Sequence, residues 1–82
     1  MNKRDADIES NKIVQVITKL REQKEISRYK LAKGISMSKS TIIYIEEFKQ
    51  IPKLSTIILI CDFLQIKLED VIKLARKEKN KD

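Results

Sequence analysis

Residues 27–48 read SRYKLAKGISMSKSTIIYIEEF, and the spacing of their caps and apolar residues sets the architecture. Ser27 is of the helix-capping type, with a hydroxyl able to accept from the free N–H groups of a first turn. Behind it Tyr29, Leu31 and Ala32 carry a short helix, and the apolar rhythm breaks at Gly34, Ile35, Ser36, Met37 and Ser38. Ser38 is a second cap, and Ile42 and Ile45 lie three residues apart on one face behind it. Two capped helices joined by a tight corner form a helix-turn-helix pattern, whose second helix commonly enters the major groove of DNA. The exposed start of that helix offers Ser38, Lys39, Ser40 and Thr41, with Tyr44 one turn on. Short donors and acceptors, one cation and a phenolic hydroxyl suit base edges and phosphates.

Length and composition narrow the rest. A chain of 82 residues has room for one small domain and a modest core. Abundant Ile, Leu and Val, single Gly and Pro residues and 37% charged residues predict a compact helical protein. There is no His, and Cys61 is the only cysteine. Zinc sites, Cys–His nucleophiles, Ser–His–Asp triads and an intrachain disulfide are thereby excluded. No pair of carboxylates or lysines stands out as catalytic, so the chain reads as a non-enzyme needing no cofactor or metal. No apolar run approaches the roughly 20 residues of a membrane span, and the polar N-terminus does not read as a signal peptide. These features predict a cytoplasmic protein.

The net charge of +6 favours a polyanionic partner, though charge alone licenses only non-specific attraction. Its distribution says more. Arg28, Lys30, Lys33, Lys39, Lys49 and Lys53 face only Glu46 and Glu47 within residues 27–53. A second surplus, Lys73, Arg76, Lys77, Lys79 and Lys81 against Glu78 and Asp82, reads as a solvated helix end or as a further basic surface.

Along the chain, residues 1–10 are expected to form a flexible arm or a loose first turn. A first helix over about 11–24, capped by Ser10 or Asn11, buries Ile13, Ile17 and Leu20, flanked by Val14 and Val16. Ile26 packs the entry to the second helix. Pro52 closes the loop after the third. A fourth helix over about 54–64 turns Leu54, Ile57, Ile58, Cys61 and Leu64 inward, with Ile60 also buried and Cys61 a small buried hydrophobe. A fifth starts at Leu68, with Leu68, Val71 and Ile72 inward and Glu69 and Asp70 in the first turn, where carboxylates suit the helix dipole. The expected organisation is an arm over 1–10, a five-helix domain over 11–74 and a basic tail over 75–82.

The chain resembles the lambda-repressor and Cro-like (Xre-type) helix-turn-helix DNA-binding family. The likeness rests on Leu20-Arg21, Ile26-Ser27, Leu31-Ala32, the run Ser38-Lys39-Ser40-Thr41-Ile42, Ile45-Glu46, Pro52, Leu54 and the closing Leu64-Gln65-Ile66-Lys67-Leu68-Glu69-Asp70-Val71. These stand in register without an insertion and span most of the chain. The resemblance implies an all-α, compact five-helix lambda-repressor-like domain. It further implies base contacts from Ser38, Lys39, Ser40 and Tyr44, and phosphate contacts from Ser27, Arg28, Thr41, Lys49 and Lys53. Arg21 and Glu46 match an ion pair that orients the recognition helix. Arg28 stands where the family usually has Gln, which adds charge at a position near phosphate.

Lys53 falls where the fourth helix would prefer a Ser or Asp cap. A cation there costs a few tenths to about 1 kcal/mol, which a nearby phosphate would offset, or the position is simply a poor cap. Three departures from the family pattern stand out. Ser36 occupies the Gly position of the corner, with Gly34 two residues earlier, so a positive φ at Ser36 would carry strain. Phe48 replaces the usual Gly after the third helix and either extends it or fills a pocket. Ile43 stands where a polar residue is normal, set to touch a thymine methyl or to pack at the core edge.

A single short helix in a groove binds weakly, and the family's habit is a homodimer on an inverted-repeat operator in double-stranded DNA. Leu59 and Phe63, four apart on the fourth helix, are the expected dimer surface unless the Lys-rich C-terminal segment folds over them. The reading is thus a sequence-specific transcriptional regulator, a repressor acting by occupancy. The alternative is an antitoxin or anti-regulator module whose helical surface mainly binds a protein partner.

Overall fold

The computed structural model of the chain describes residues 1–79. Among them five helices follow one another without a strand: α1 Lys3–Gln23, α2 Arg28–Gly34, α3 Lys39–Glu46, α4 Leu54–Leu64 and α5 Leu68–Lys79. Every helix gives apolar side chains to one core. Val14 and Ile17 come from α1, Leu31 from α2, Ile42 and Ile45 from α3, Ile57, Ile60 and Leu64 from α4, and Val71 and Ala75 from α5. Each fully buried aliphatic side chain contributes about 1.5–3 kcal/mol, which offsets the ordering entropy of so short a chain.

The largest difference from the sequence expectation is at the N-terminus. Helix α1 starts at Lys3 rather than near Asn11, so the segment expected as a flexible arm is its opening turns. The Asn2 side chain caps it, accepting from the Asp5 N–H at 2.8 Å, and Asp5 lies in the first turn where its charge suits the dipole. Lys3 pairs with Asp7 at 2.9 Å, and Glu9 accepts from Arg76 Nε at 2.9 Å. A cap, a dipole charge and a tie to α5 hold a stretch whose low apolar content argued for a loose arm. The fifth helix reaches into the stretch expected as a basic tail. Ala75 is buried and α5 continues to Lys79, packed mainly on α1. The rest of the expected basic tail, residues 80–82, lies outside the described residues.

Two buried faces differ in part from the expected ones. In α1 the buried residues are Val14, Val16, Ile17 and Arg21, with Ile13 and Leu20 only partly buried. In α4 the buried residues are Thr56, Ile57, Ile60, Cys61 and Leu64, while Leu54 and Ile58 are 66% and 50% exposed. Both were expected inside. A mostly apolar helix such as α4 gives periodicity little to work with, and packing picks the face.

All four corners are turned by non-glycine residues in the left-handed region: Glu25 (φ 57°), Ser36 (φ 57°), Phe48 (φ 63°) and Gln65 (φ 57°). At each, the following N–H reaches back to the last turn: Ile26 to Arg21 O, Met37 to Ala32 O, Lys49 to Tyr44 O and Ile66 to Cys61 O, at 2.8–3.2 Å. This is the Schellman closure, which satisfies carbonyls the helix end would otherwise leave free. The strain expected at Ser36 is therefore present. Phe48 neither extends α3 nor fills a pocket: its backbone turns the corner and its ring is largely exposed. The chain's one glycine, Gly34, serves another purpose. A β-carbon there would overlap the ring of Phe63, so Gly34 lets α4 approach α2.

Candidate nucleic-acid interface

The interface is built on the α2–α3 pair. Ser27 caps α2, its Oγ accepting from the Lys30 N–H at 3.0 Å. Ser38 caps α3, its Oγ accepting from the Thr41 N–H at 3.1 Å and lying 2.8 Å from Thr41 Oγ1. The hydroxyls of Ser38 and Thr41 are thus engaged with each other at the opening of α3. Ile42 and Ile45 bury the opposite side, and Ile43 is half-buried between that side and the exposed one. Lys39, Ser40 and Tyr44 are left on the exposed side. Ser40 and Tyr44, four apart, stand one above the other.

The recognition pair is fixed from behind by a cluster of three charged side chains. Arg21 donates from Nε to Glu46 Oε2 at 2.8 Å and from Nη2 to Glu46 Oε1 at 3.0 Å. Its remaining nitrogen, Nη1, donates to the Ile26 carbonyl at 2.7 Å. The expected Arg21–Glu46 pair is therefore a two-pronged bond between side chains only 7% and 5% exposed. A third member was not legible in the sequence: Arg28 donates from Nε to Glu46 Oε1 at 2.8 Å and remains 36% exposed. Nothing in an 18-residue separation signals that bond.

Charge at the helix starts falls into two classes. Helices α1 and α5 carry acids in their first turns, Asp5 and Glu69 with Asp70, where they suit the positive end of the dipole. Helices α2, α3 and α4 carry none. Arg28 and Lys39 open α2 and α3 with no acid behind them, whereas Lys3 and Arg4 at the start of α1 are followed by Asp5, and Lys53 holds the N-cap of α4 without a side-chain capping bond. Cations at these positions are unfavourable in the isolated protein and become favourable beside an anion. Lys49 is exposed and lies 3.3 Å from Glu47, a surface pair worth little by itself.

The two residues expected at a dimer surface part company. Leu59 is exposed, whereas Phe63 is half-buried with its ring over Gly34. The face of α4 that remains open carries Leu54, Ser55, Ile58, Leu59 and Asp62, with one charge among them. Exposed Leu54 and Ile58 belong to this face and were missed because they had been assigned inward. Cys61 is buried beneath it, and burial raises its thiol above the ordinary value of 9.0. No helix among the described residues is long and apolar enough to cross a membrane.

A family model described as helix-turn-helix matches residues 17–71, two thirds of the chain and all of α2, α3 and α4. No curated protein and no solved structure shows significant similarity to the chain.

Proposed function

The chain belongs to the Cro/C1-type helix-turn-helix family, a family of DNA-binding transcription regulators, and from that premise we propose that it is a sequence-specific repressor acting by occupancy. Helix α3 enters the major groove. Ser38, Lys39, Ser40 and Tyr44 meet base edges there, the Ser38 hydroxyl also capping the first turn. Arg28, Lys49 and Lys53 meet phosphates on either side, with Ser27 and Thr41 at the backbone. The observation that carries this reading is the contrast between helix starts. The three helices with no acid in the first turn are those the docking mode brings to DNA, and the two with acids are not.

The protein acts on an inverted repeat as a homodimer, joined through the open face of α4 with Leu59 in the contact and Phe63 backing it. Two copies carrying +6 each repel, and they approach best across a face with a single charge, Asp62. The half-sites then lie about one helical turn, roughly 34 Å, apart. The protein works in the cytoplasm beside its DNA, as a binding protein rather than an enzyme.

Selection from a random duplex pool at two salt concentrations tests this. An enriched inverted repeat is expected, with Ser40→Ala or Tyr44→Phe relaxing one position of each half-site. Binding that falls steeply with salt and selects no motif would overturn sequence specificity.

A further inference from the structure

We propose that Glu46 is a positioning residue for DNA binding: it holds the Arg28 guanidinium by Nε so that its terminal nitrogens are aimed at a backbone phosphate. The proposal rests on the DNA-binding reading above. Its starting point is charge. One buried carboxylate serves two guanidinium groups, so the cluster carries one positive charge that Glu46 does not neutralise. That charge cannot be assigned to Arg21, which is buried and has all three nitrogens engaged, on Glu46 and on the Ile26 carbonyl. It belongs to Arg28, the member of the cluster with solvent access.

Geometry gives the charge a direction. Among the described residues Arg28 donates from Nε alone. The guanidinium is a rigid plane with five donors, so fixing the Nε edge fixes where the two terminal nitrogens point. Their four N–H groups form the fork that matches a phosphate, and charge-assisted bonds of that kind are about twice as strong as neutral ones. Glu46 closes α3, whereas Lys39 opens it. With the first turn of α3 on base edges, Arg28 is held at the opposite end of that helix, away from the bases and free to meet the backbone. A phosphate there supplies the negative charge that the cluster lacks. Lysine at position 28 would keep the charge but could not be gripped and aimed in this way.

The test compares Arg28→Lys and Arg28→Gln with the wild type. Binding to the duplex enriched by selection, or to a mixed-sequence duplex of about 20 base pairs if none is enriched, is titrated across salt by fluorescence anisotropy, with melting curves alongside. Arg28→Gln should weaken binding about tenfold and reduce the slope of log affinity against log salt by about one. Arg28→Lys should keep the slope yet still bind about tenfold more weakly. In a Glu46→Asp background, where the carboxylate is retained but set back, the Lys substitution should cost less than about threefold. Wild-type affinity in Arg28→Lys would overturn the proposal. So would an unchanged salt slope in Arg28→Gln with only a lowered melting temperature, since Arg28 would then merely neutralise Glu46. Failure of the DNA-binding reading looks different: the wild type itself would bind neither duplex.

Discussion

The ring of Phe63 lies in the space that a β-carbon on Gly34 would occupy, joining α4 to the C-terminal end of α2 through a contact with no side chain on one partner. The pair sets two effects against each other. By helix propensity, Gly34→Ala should stabilise by about 0.5–1 kcal/mol, since Gly34 is helical and has negative φ. By packing it should destabilise by about 1–3 kcal/mol, because the ring must leave. Packing wins, and urea denaturation should show a net loss of about 1–2 kcal/mol. In a Phe63→Leu background the ring is gone and the same substitution should become neutral or stabilising. A stabilised Gly34→Ala single variant would show that the ring swings aside at no cost.

Removing the carboxylate at position 46 should rank among the costly single changes in this chain. Glu46→Gln leaves the buried Arg21 guanidinium without its counter-charge and frees Arg28, and breaking one side of a buried pair costs about 3–5 kcal/mol. For a small domain that is a large part of the total stability, so the melting temperature should fall by more than 10 °C. Replacing Arg21 and Glu46 together by apolar residues of similar volume should cost much less. If the two variants melt alike, the pair is not held out of water as the structure has it.

The helix-turn-helix frame was legible because its signals are local. Ser27 and Ser38 cap through their own side chains, and Pro52 and the acids at Glu69 and Asp70 bracket helices from a few residues away. What stayed hidden depends on distant partners. The face of α4 cannot be chosen within a run such as residues 54–64, nearly all apolar, until α1, α2 and α5 pack on it. The opening of α1 at Lys3 did carry a local signal, the Asn2 cap with Asp5 in the first turn, and only its tie from Glu9 to Arg76 is distant. The third arm of the charge cluster, Arg28 on Glu46, arises only when α2 and α3 are folded against each other.

Strain at the corners predicts gains from glycine. Ser36 and Gln65 both hold φ near +57°, where an L-residue costs about 1–2 kcal/mol and glycine does not. Part of that gain is lost because glycine adds entropy to the unfolded chain. Ser36→Gly and Gln65→Gly should each raise stability by about 0.5–1 kcal/mol, read from chemical denaturation, and should add in the double variant, since they lie at different corners. A loss at Ser36 would mean that its side chain contributes a contact worth more than the backbone strain.

Cys61 offers a probe of the folded state. Burial raises its thiol above 9.0, so the fold disfavours the thiolate. A folded pKa above the unfolded value gives a contribution present in full below the unfolded pKa and lost as pH rises through the folded one. Stability should therefore be flat in this respect near neutral pH and decline in the alkaline range above 9, and Cys61→Ala should remove that part of the decline. Alkylation at neutral pH should proceed only as fast as the protein opens.

Lys53 separates folding from binding in a single substitution. As the N-cap of α4 it makes no capping bond, and its charge lies at the wrong end of the helix. Lys53→Ser supplies a hydroxyl acceptor and removes the cation, which together should stabilise the free protein by about 1 kcal/mol. The same change removes a phosphate contact under the proposed docking, so binding should weaken evenly across sequences and the salt slope should fall by about one. Opposite signs in melting and in DNA binding are the expected result. If Lys53→Ser raises the melting temperature and leaves affinity and slope unchanged, the lysine is a poor cap and nothing more. The phosphate-facing surface then ends before the start of α4.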